Sequence, residues 1–414
     1  MLPRRTFLAG ALALGGSTAV QPLPFVHRAA EQRYTIAVPV LDFAAPDSGR
    51  PATDALQAAF DAAFETGLPL IFPRGEWVIE RPLTIRNPER RHGGFPTLLG
   101  AGRGSTVLRA LPFEGPMLSV RGAPDAALAG SFFLHGGRIE GIEFCGAGTF
   151  GQDGIETLGW WHGTIANCRF HRLGGNGLRA IGDPEHGQNP DFTASILTCE
   201  GCDFERLGGW GFLDDNPIGA PGWRFDHCIF NLCAGGGAFV RSSGHEYLGC
   251  TFAGCGFVDE RTPAQTFGTG LRIGDAAGPA ISRTRVVVAE FDANKDAHVV
   301  VDRVASLLVE DVRFIHHDRF GSGHPSPPLA VQLGTDALRS EVVQTRFLRP
   351  LFRLDTPGPV TGFRIASLAR THDLVIERGV WAQEFSGETG LVKFDGFPDP
   401  IAAKGQRIDA QEGR

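Results

Sequence analysis

The chain has no run of basic residues: its 39 Lys and Arg are outnumbered by 46 Asp and Glu, for a formal charge of −7. Phosphate backbones are held by clustered cations, so nucleic acid is excluded as the main partner. A long apolar segment is also missing. The one in MLPRRTFLAGALALGGSTAV is too short and too rich in glycine to span a bilayer, and no other stretch competes with it. No integral membrane segment is expected. Tyrosine occurs only twice, against 31 Phe and 56 Gly. Abundant Gly with Phe and Val points to many short strands joined by tight turns. A length of 414 residues would by itself permit two or three domains.

The N-terminus carries Arg4-Arg5, then Thr6-Phe7-Leu8 and a modest apolar run. This resembles a twin-arginine export signal, with an ordinary secretory signal as the alternative. Residues 1–30 are therefore expected to be an export signal, and the mature protein to be periplasmic or secreted from a bacterium. All eight cysteines fall between Cys145 and Cys255. An oxidising compartment invites disulfides, but their placement suggests another use.

From about residue 140 one phrase keeps returning, as IEGIEFCG, TIANCRFHRLGGNGLRAIG, LTCEGCDFERLGGWGFLDD, WRFDHCIFNLCAGGGAFVRS and YLGCTFAGCGF. Later copies are more divergent. An anchoring aromatic falls at Phe144, Phe170, Phe204, Phe230, Phe252, Phe291, Phe314 and Phe347, at gaps of 22 to 39 residues. Each unit holds an alternating strand, a Gly-rich corner and a second short strand, with no helical periodicity. Short strands repeating every 20-odd residues predict a parallel β-solenoid; a propeller blade needs about 40 residues or more. Cys168, Cys202, Cys228 and Cys250 each sit two residues before an anchoring Phe and so share its inward side. They are expected to stack as small core thiols. A Cys233–Cys255 disulfide is the alternative, and zinc at Cys199-x-x-Cys202 lacks a second matching pair.

Residues 38 to 109 differ. Thr53 or Asp54 can N-cap a helix with Leu56, Ala59, Phe60, Ala63 and Phe64 on one face, stopped by Gly67. Such a helix would cover the open end of a solenoid. The stretch LDFAA, TDALQAAFDAAFETGLPLIFPRGEWVI and LLGAGRGSTVL resembles the opening of the pectate-lyase-like (rhamnogalacturonase/epimerase-like) right-handed β-helix superfamily, with Trp77 where the family phrase has Tyr. The resemblance implies an all-β, right-handed, single-stranded parallel β-helix with an N-terminal capping helix. It divides the chain into the signal (1–30), the cap and first coils (31–110), the β-helix (111–400) and a polar tail (401–414). It also allows a homo-oligomer, since trimers occur among relatives. The scaffold hosts lyases, hydrolases, epimerases and adhesins, so fold alone does not give the activity.

Aligning GIETLG, GLRAIG, GFLDDN, AFVRSS and GLRIGD places Glu156, Arg179, Leu213, Val240 and Arg272 in one outward column. Strands lie about 4.8 Å apart, so a carboxylate and two guanidinium groups can meet one sugar chain. Polygalacturonases of the superfamily carry Asn-Thr-Asp, Asp-Asp and Gly-His-Gly just before the equivalent strands. Here those positions hold Asp153, Asn176 and Trp210, and that mechanism is set aside. The mannuronan epimerase phrase Asp-Pro-His-Glu is matched only by Asp-Pro-Glu-His at 183–186.

β-Elimination asks for a cation that neutralises the uronate carboxylate, plus a base and an acid. Arg179 and Arg272 are the expected neutralising groups, and His245 and Tyr247 the expected base and acid, with His186 a second candidate base. Glu156, Asp214, Asp215, Arg241, Trp160 and Trp161 are expected to bind substrate. No metal-ligand set is expected; Ca²⁺ at Asp214 and Asp215 is open, although a third ligand is lacking. The sequence is thus read as an exported lyase for an acidic polysaccharide. A glycoside hydrolase using Asp153, Asp183, Asp214 or Asp215 is one alternative, and a non-catalytic glycan-binding or envelope protein the other.

Overall fold

Each coil holds three strands rather than the two read in each repeat, and a computed structural model stacks the coils through parallel pairing into sheets of 14, 11 and 11 strands. The structure describes residues 37–86, 93–122, 134–181, 195–215, 222–257, 268–316, 329–334, 338–354, 360–366, 369–377, 380–383 and 392–395. The expected signal, residues 183–187 with His186, the insertion at 318–328 and the tail at 401–414 lie outside them. Val38–Arg414 form one compact unit. No helix among the described residues is long and apolar enough to cross a membrane.

The interior is built from columns in strict register. In the second sheet Trp77, Leu108, Phe144, Phe170, Phe204, Phe230, Phe252, Phe291, Phe314 and Phe352 follow one another coil by coil. Rings from Phe170 to Phe291 stack face to face at 4.7 to 4.9 Å. The expected ladder is therefore present, with one correction at its end. Phe347 pairs with Val309 in the first sheet, and Phe352 takes the ladder position.

A column of glycines makes room for these rings. A Cβ on Gly154, Gly177, Gly211, Gly237 or Gly270 would lie 2.4 to 2.8 Å from Cδ1 of Phe170, Phe204, Phe230, Phe252 or Phe291 in the next coil. The five glycines open the third-sheet strands, so this contact sets where each of those strands starts. At the corner between first and second sheets the chain turns through a left-handed residue in coil after coil: Asn167, Gly201, His227, Gly249, Val288, Asp311 and Arg349.

All eight cysteines are free and buried, so the Cys233–Cys255 disulfide is not formed. Cys168, Cys202, Cys228 and Cys250 stack inside, each thiol donating to a carbonyl of the preceding coil, of Ile139, Ile165, Cys199 and Phe225 respectively, at 3.4 to 3.7 Å. This is the expected thiol column.

The helix runs Thr53–Thr66 and ends at Gly67 with φ 68°. Its N-cap is Ala52, with no side-chain cap. Thr53 Oγ1 instead accepts the Glu80 N–H at 3.0 Å, and Asp54 pairs with Arg81. Leu56, Ala59, Phe60 and Ala63 are buried against Val40, Leu70 and Phe72 in the first coil. Leu83–Arg86 is the terminal strand of the third sheet, and there the Gln57 amide does a strand's work. Its Oε1 accepts the Thr84 N–H at 2.9 Å and its Nε2 donates to the Thr84 carbonyl at 2.8 Å.

Candidate functional site

The outward column of the third sheet runs Glu156, Arg179, Leu213, Phe239, Arg272, Val300, Gln332 and Arg364. Four of the five expected members are in place. The fifth is Phe239, not Val240, which is buried. Gly237 is the aligned glycine in that coil, and reading the strand from Ala238 slips the register by one, which turns every side chain to the other face.

The expected charged groups other than Asp214 meet on this face, and they meet one another. Arg121 Nη2 lies 2.6 Å from Glu156, and Arg179 Nη1 lies 3.9 Å from the other Glu156 oxygen. Arg179 Nη2 reaches Asp215 at 2.8 Å, and Arg241 bridges Asp215 at 3.0 Å and Asp275 at 3.1 Å. The result is a strip of alternating sign, Arg121–Glu156–Arg179–Asp215–Arg241–Asp275, along the solenoid axis. Arg272 stands beside it, paired with Asp302 at 2.8 Å and lying over the Phe239 ring at 4.8 Å. Trp210 packs against Phe239 with ring centroids 5.3 Å apart, and both rings are partly exposed. A planar cation beside aromatic faces and hydroxyl-binding carboxylates is a surface suited to a carboxylated sugar.

Four expected site residues are elsewhere. Tyr247 belongs to a first-sheet strand, in the inner column between Phe225 and Val286, with its ring stacked on Phe225 at 5.0 Å. Burial pushes its phenol well above the usual range, so it is not placed to act as the acid. His245 is 1% exposed and packs inside against Phe212. Trp160 is fully buried in the first sheet, donating to the Gly136 carbonyl at 2.8 Å and stacked on Phe95. Trp161, half-exposed, is edge-on to His135 and His162 on the same first-sheet side.

Asp214 and Asp215 point to opposite faces. Asp214 is 1% exposed and accepts the backbone N–H groups of Ser242 (2.7 Å) and Arg241 (3.1 Å), as well as the Ser242 hydroxyl. His245 Nε2 lies 3.3 Å from the same carboxylate oxygen and 2.9 Å from Ser242 Oγ. Its Nδ1 faces the Trp223 N–H at 3.4 Å. Serine, histidine and aspartate thus meet, but the carboxylate sits at the nitrogen that also meets the serine, and the group is sealed in the core. A nucleophilic triad needs the carboxylate on the other ring nitrogen and an open serine. This cluster ties a corner. The two aspartates lie on opposite faces and cannot share one Ca²⁺, and the guanidinium groups of Arg179 and Arg241 beside Asp215 repel a cation there.

The turn before the third sheet stacks Asp153, Asn176 and Trp210 as aligned. Asp153 Oδ1 accepts both the backbone and side-chain N–H of Asn176 at 2.6 and 2.9 Å, and Asn176 Oδ1 accepts the Trp210 N–H at 2.9 Å. Burial raises the Asp153 pKa above the ordinary carboxylate value, opposed by Asn176 and by Arg179, whose Nη1 is 3.6 Å away. Asp302 is raised for the same reason and opposed by Arg272. Sequence reasoning passed over Asp275 and Asp302; their signal was position, each lying just past a third-sheet strand as Asp214 and Asp215 end theirs.

No protein-family model matches the chain, and no curated protein does. Solved structures do. ORF18 of Geobacillus virus E2 is similar at 17% identity and a TM-score of 0.53, over 88% of this chain and 64% of that one. The chain therefore spans less than two thirds of that phage protein. The tailspike protein of E. coli bacteriophage HK620, solved in complex with a hexasaccharide, is similar at 13% identity and a TM-score of 0.53, over 88% and 66%. PfbA, a surface adhesin of Streptococcus pneumoniae, is similar at 10% identity and a TM-score of 0.52, over 91% and 100%. With three parallel sheets in register and these likenesses, the chain has the right-handed parallel β-helix fold.

Proposed function

We propose that this protein is polysaccharide-active and that the outward face of the third sheet binds an acidic glycan. The observation that carries the reading is the strip Arg121–Glu156–Arg179–Asp215–Arg241–Asp275 beside the Trp210–Phe239 rings. A uronate carboxylate can replace Asp215 or Glu156 as partner of Arg179 without leaving a guanidinium unpaired, and the rings offer stacking surface. Support from outside the chain is the hexasaccharide in the HK620 tailspike structure. The reaction we assign is β-elimination, with Arg179 and Arg241 as the neutralising cations. Asp215, which touches both, is the group nearest to hand for the proton. His245 and Tyr247 are withdrawn from the roles of base and acid because both are in the core.

Hydrolysis is the second reading, favoured by one observation. Besides Glu156, Arg179 touches Asp153, with its raised pKa, and the more exposed Asp215, and such a pair divides into acid and base. Export of the protein is part of the proposal and rests on the N-terminal sequence.

The test is a panel of uronic-acid polymers assayed for the absorbance of an unsaturated product and for new reducing ends. Absorbance supports elimination. Reducing ends without it refute elimination in favour of hydrolysis, and binding with neither product favours an adhesin-like role. Arg179→Ala and Arg241→Ala should each lower binding and turnover at least tenfold while circular dichroism is unchanged. Full binding in both variants overturns the assigned face.

A further inference from the structure

Seven of the eight cysteines lie in the hydrophobic core, and Cys145 does not. It closes the second-sheet strand Glu143–Cys145, and its partner in register on the next coil is His171. Phe144 between them points inward, so Glu143 and Cys145 share the outer side. One ligand atom each from Glu143, Cys145 and His171 lies within 4.8 Å of the others. His171 Nδ1 and Glu143 Oε1 are 3.7 Å apart. Two ligands about 2.0–2.1 Å from a tetrahedral ion stand roughly 3.3–3.4 Å apart, so the Glu143–His171 pair needs only a small contraction to stand at the spacing of two zinc ligands.

We propose that Glu143, Cys145 and His171 form a binding site for a divalent transition metal of the zinc type, with three protein ligands and a fourth position open to water. The ligand set decides the metal class: a thiolate and an imidazole select zinc-like ions over calcium or magnesium, which take oxygen ligands. The surroundings are those of a built site. Glu143 and Cys145 are each 7% exposed, on paired strands rather than a loop. The second oxygen of Glu143 lies 3.6 Å from Arg169, a guanidinium held more tightly by Glu205, which orients the carboxylate from outside. By contrast with the seven core thiols, which donate to carbonyls of the preceding coil or pack among apolar side chains, the one backbone contact of Cys145 Sγ is its neighbour Gly146 at 3.9 Å. On binding, the thiol gives up its proton and the metal joins two adjacent coils.

The experiment uses the full chain, purified without a histidine tag and freed of metal with chelator, and titrates it with Co²⁺. The expected result is a thiolate-to-cobalt charge-transfer band that saturates at one equivalent and is removed by Zn²⁺. Cys145→Ser should abolish the band, His171→Gln should weaken binding at least tenfold, and His227→Gln, at an exposed histidine, should leave it unchanged. In the unaltered chain Zn²⁺ should slow native-state alkylation of Cys145, a readout that does not depend on any variant folding. A spectrum like that of free Co²⁺, a band that survives in C145S, or alkylation indifferent to Zn²⁺ overturns the site.

Discussion

Replacing Gly177 with Ala tests the glycine–phenylalanine contact that sets the coil geometry. The added Cβ would lie 2.5 Å from Phe204 Cδ1 and 2.7 Å from the Gly211 carbonyl oxygen. Gly177 is not among the left-handed residues, so the effect is steric rather than a matter of backbone conformation. Phe204 cannot tilt away freely, because its ring is stacked at 4.9 Å on Phe170 and 4.7 Å on Phe230. Overpacking of this kind costs about 1–3 kcal/mol, and a rigid ring plus a backbone atom puts it near the upper end. A loss of about 2.5 kcal/mol lowers the folding constant roughly 70-fold. Stacked coils can unfold piecemeal, so the urea midpoint should be read together with hydrogen exchange of amides in Leu178–Ile181 and Asp203–Leu207. Phe204→Leu clears the space, and the double variant should be less destabilised than the sum of the two by about 1 kcal/mol or more. Unchanged stability in Gly177→Ala, or strict additivity with Phe204→Leu, would refute the reasoning.

Three further outcomes are expected. Tyr247→Phe removes a buried hydroxyl that has no hydrogen-bond partner, so the unfolding free energy from urea titration should hold or rise by up to about 1 kcal/mol and any polysaccharide activity should persist; loss of turnover with the fold intact would restore Tyr247 to the site. Val288 is a β-branched residue at φ 55° and 63% exposed, so Val288→Gly relieves a left-handed position without removing packing and should stabilise by about 1 kcal/mol in the same assay. Burial raises the Asp302 pKa, so the folded state holds that proton more tightly than the unfolded chain. Its contribution to stability is present below the ordinary carboxylate value and is lost as pH rises through the raised one. The difference in urea midpoint between Asp302→Asn and the unaltered chain should therefore grow in favour of the variant from acid to neutral pH, and a flat difference contradicts the burial argument.

Much of the fold was legible because its determinants are local and repeated. Phe recurs at the same place in unit after unit, with Cys two residues before it in four of them and Gly at the corner, and each follows from stacking identical positions at strand spacing. Errors arose where a copy departs from the pattern. In VVQTRFLRPLFRLD two phenylalanines are candidates, and the first-sheet strand Thr345–Leu348 claims Phe347 before Phe352 reaches the ladder. In CAGGGAFVRS three glycines run together, and only the contact with Phe252 identifies Gly237 as the one in the column. The site was half legible. Outward charges on the third sheet follow from period-two alternation, so Glu156, Arg179 and Arg272 were found. That each arginine would already hold a carboxylate was not, since Asp215 is the last residue of its strand and Asp275 and Asp302 lie past the ends of theirs, where parity gives no direction. Nor does parity say which of three sheets a strand joins, and so His245, Tyr247, Trp160 and Trp161 were credited to the wrong wall.

The Gln57 amide has a consequence beyond packing. A parallel solenoid is a one-dimensional polymer of coils, and every coil offers the next a row of free peptide groups. At the first strand of the third sheet the growing end meets an amide that imitates a peptide unit and then offers nothing further to pair with. Gln57 is in that sense a chain terminator carried in the chain itself, and a second molecule finds the Thr84 peptide already taken.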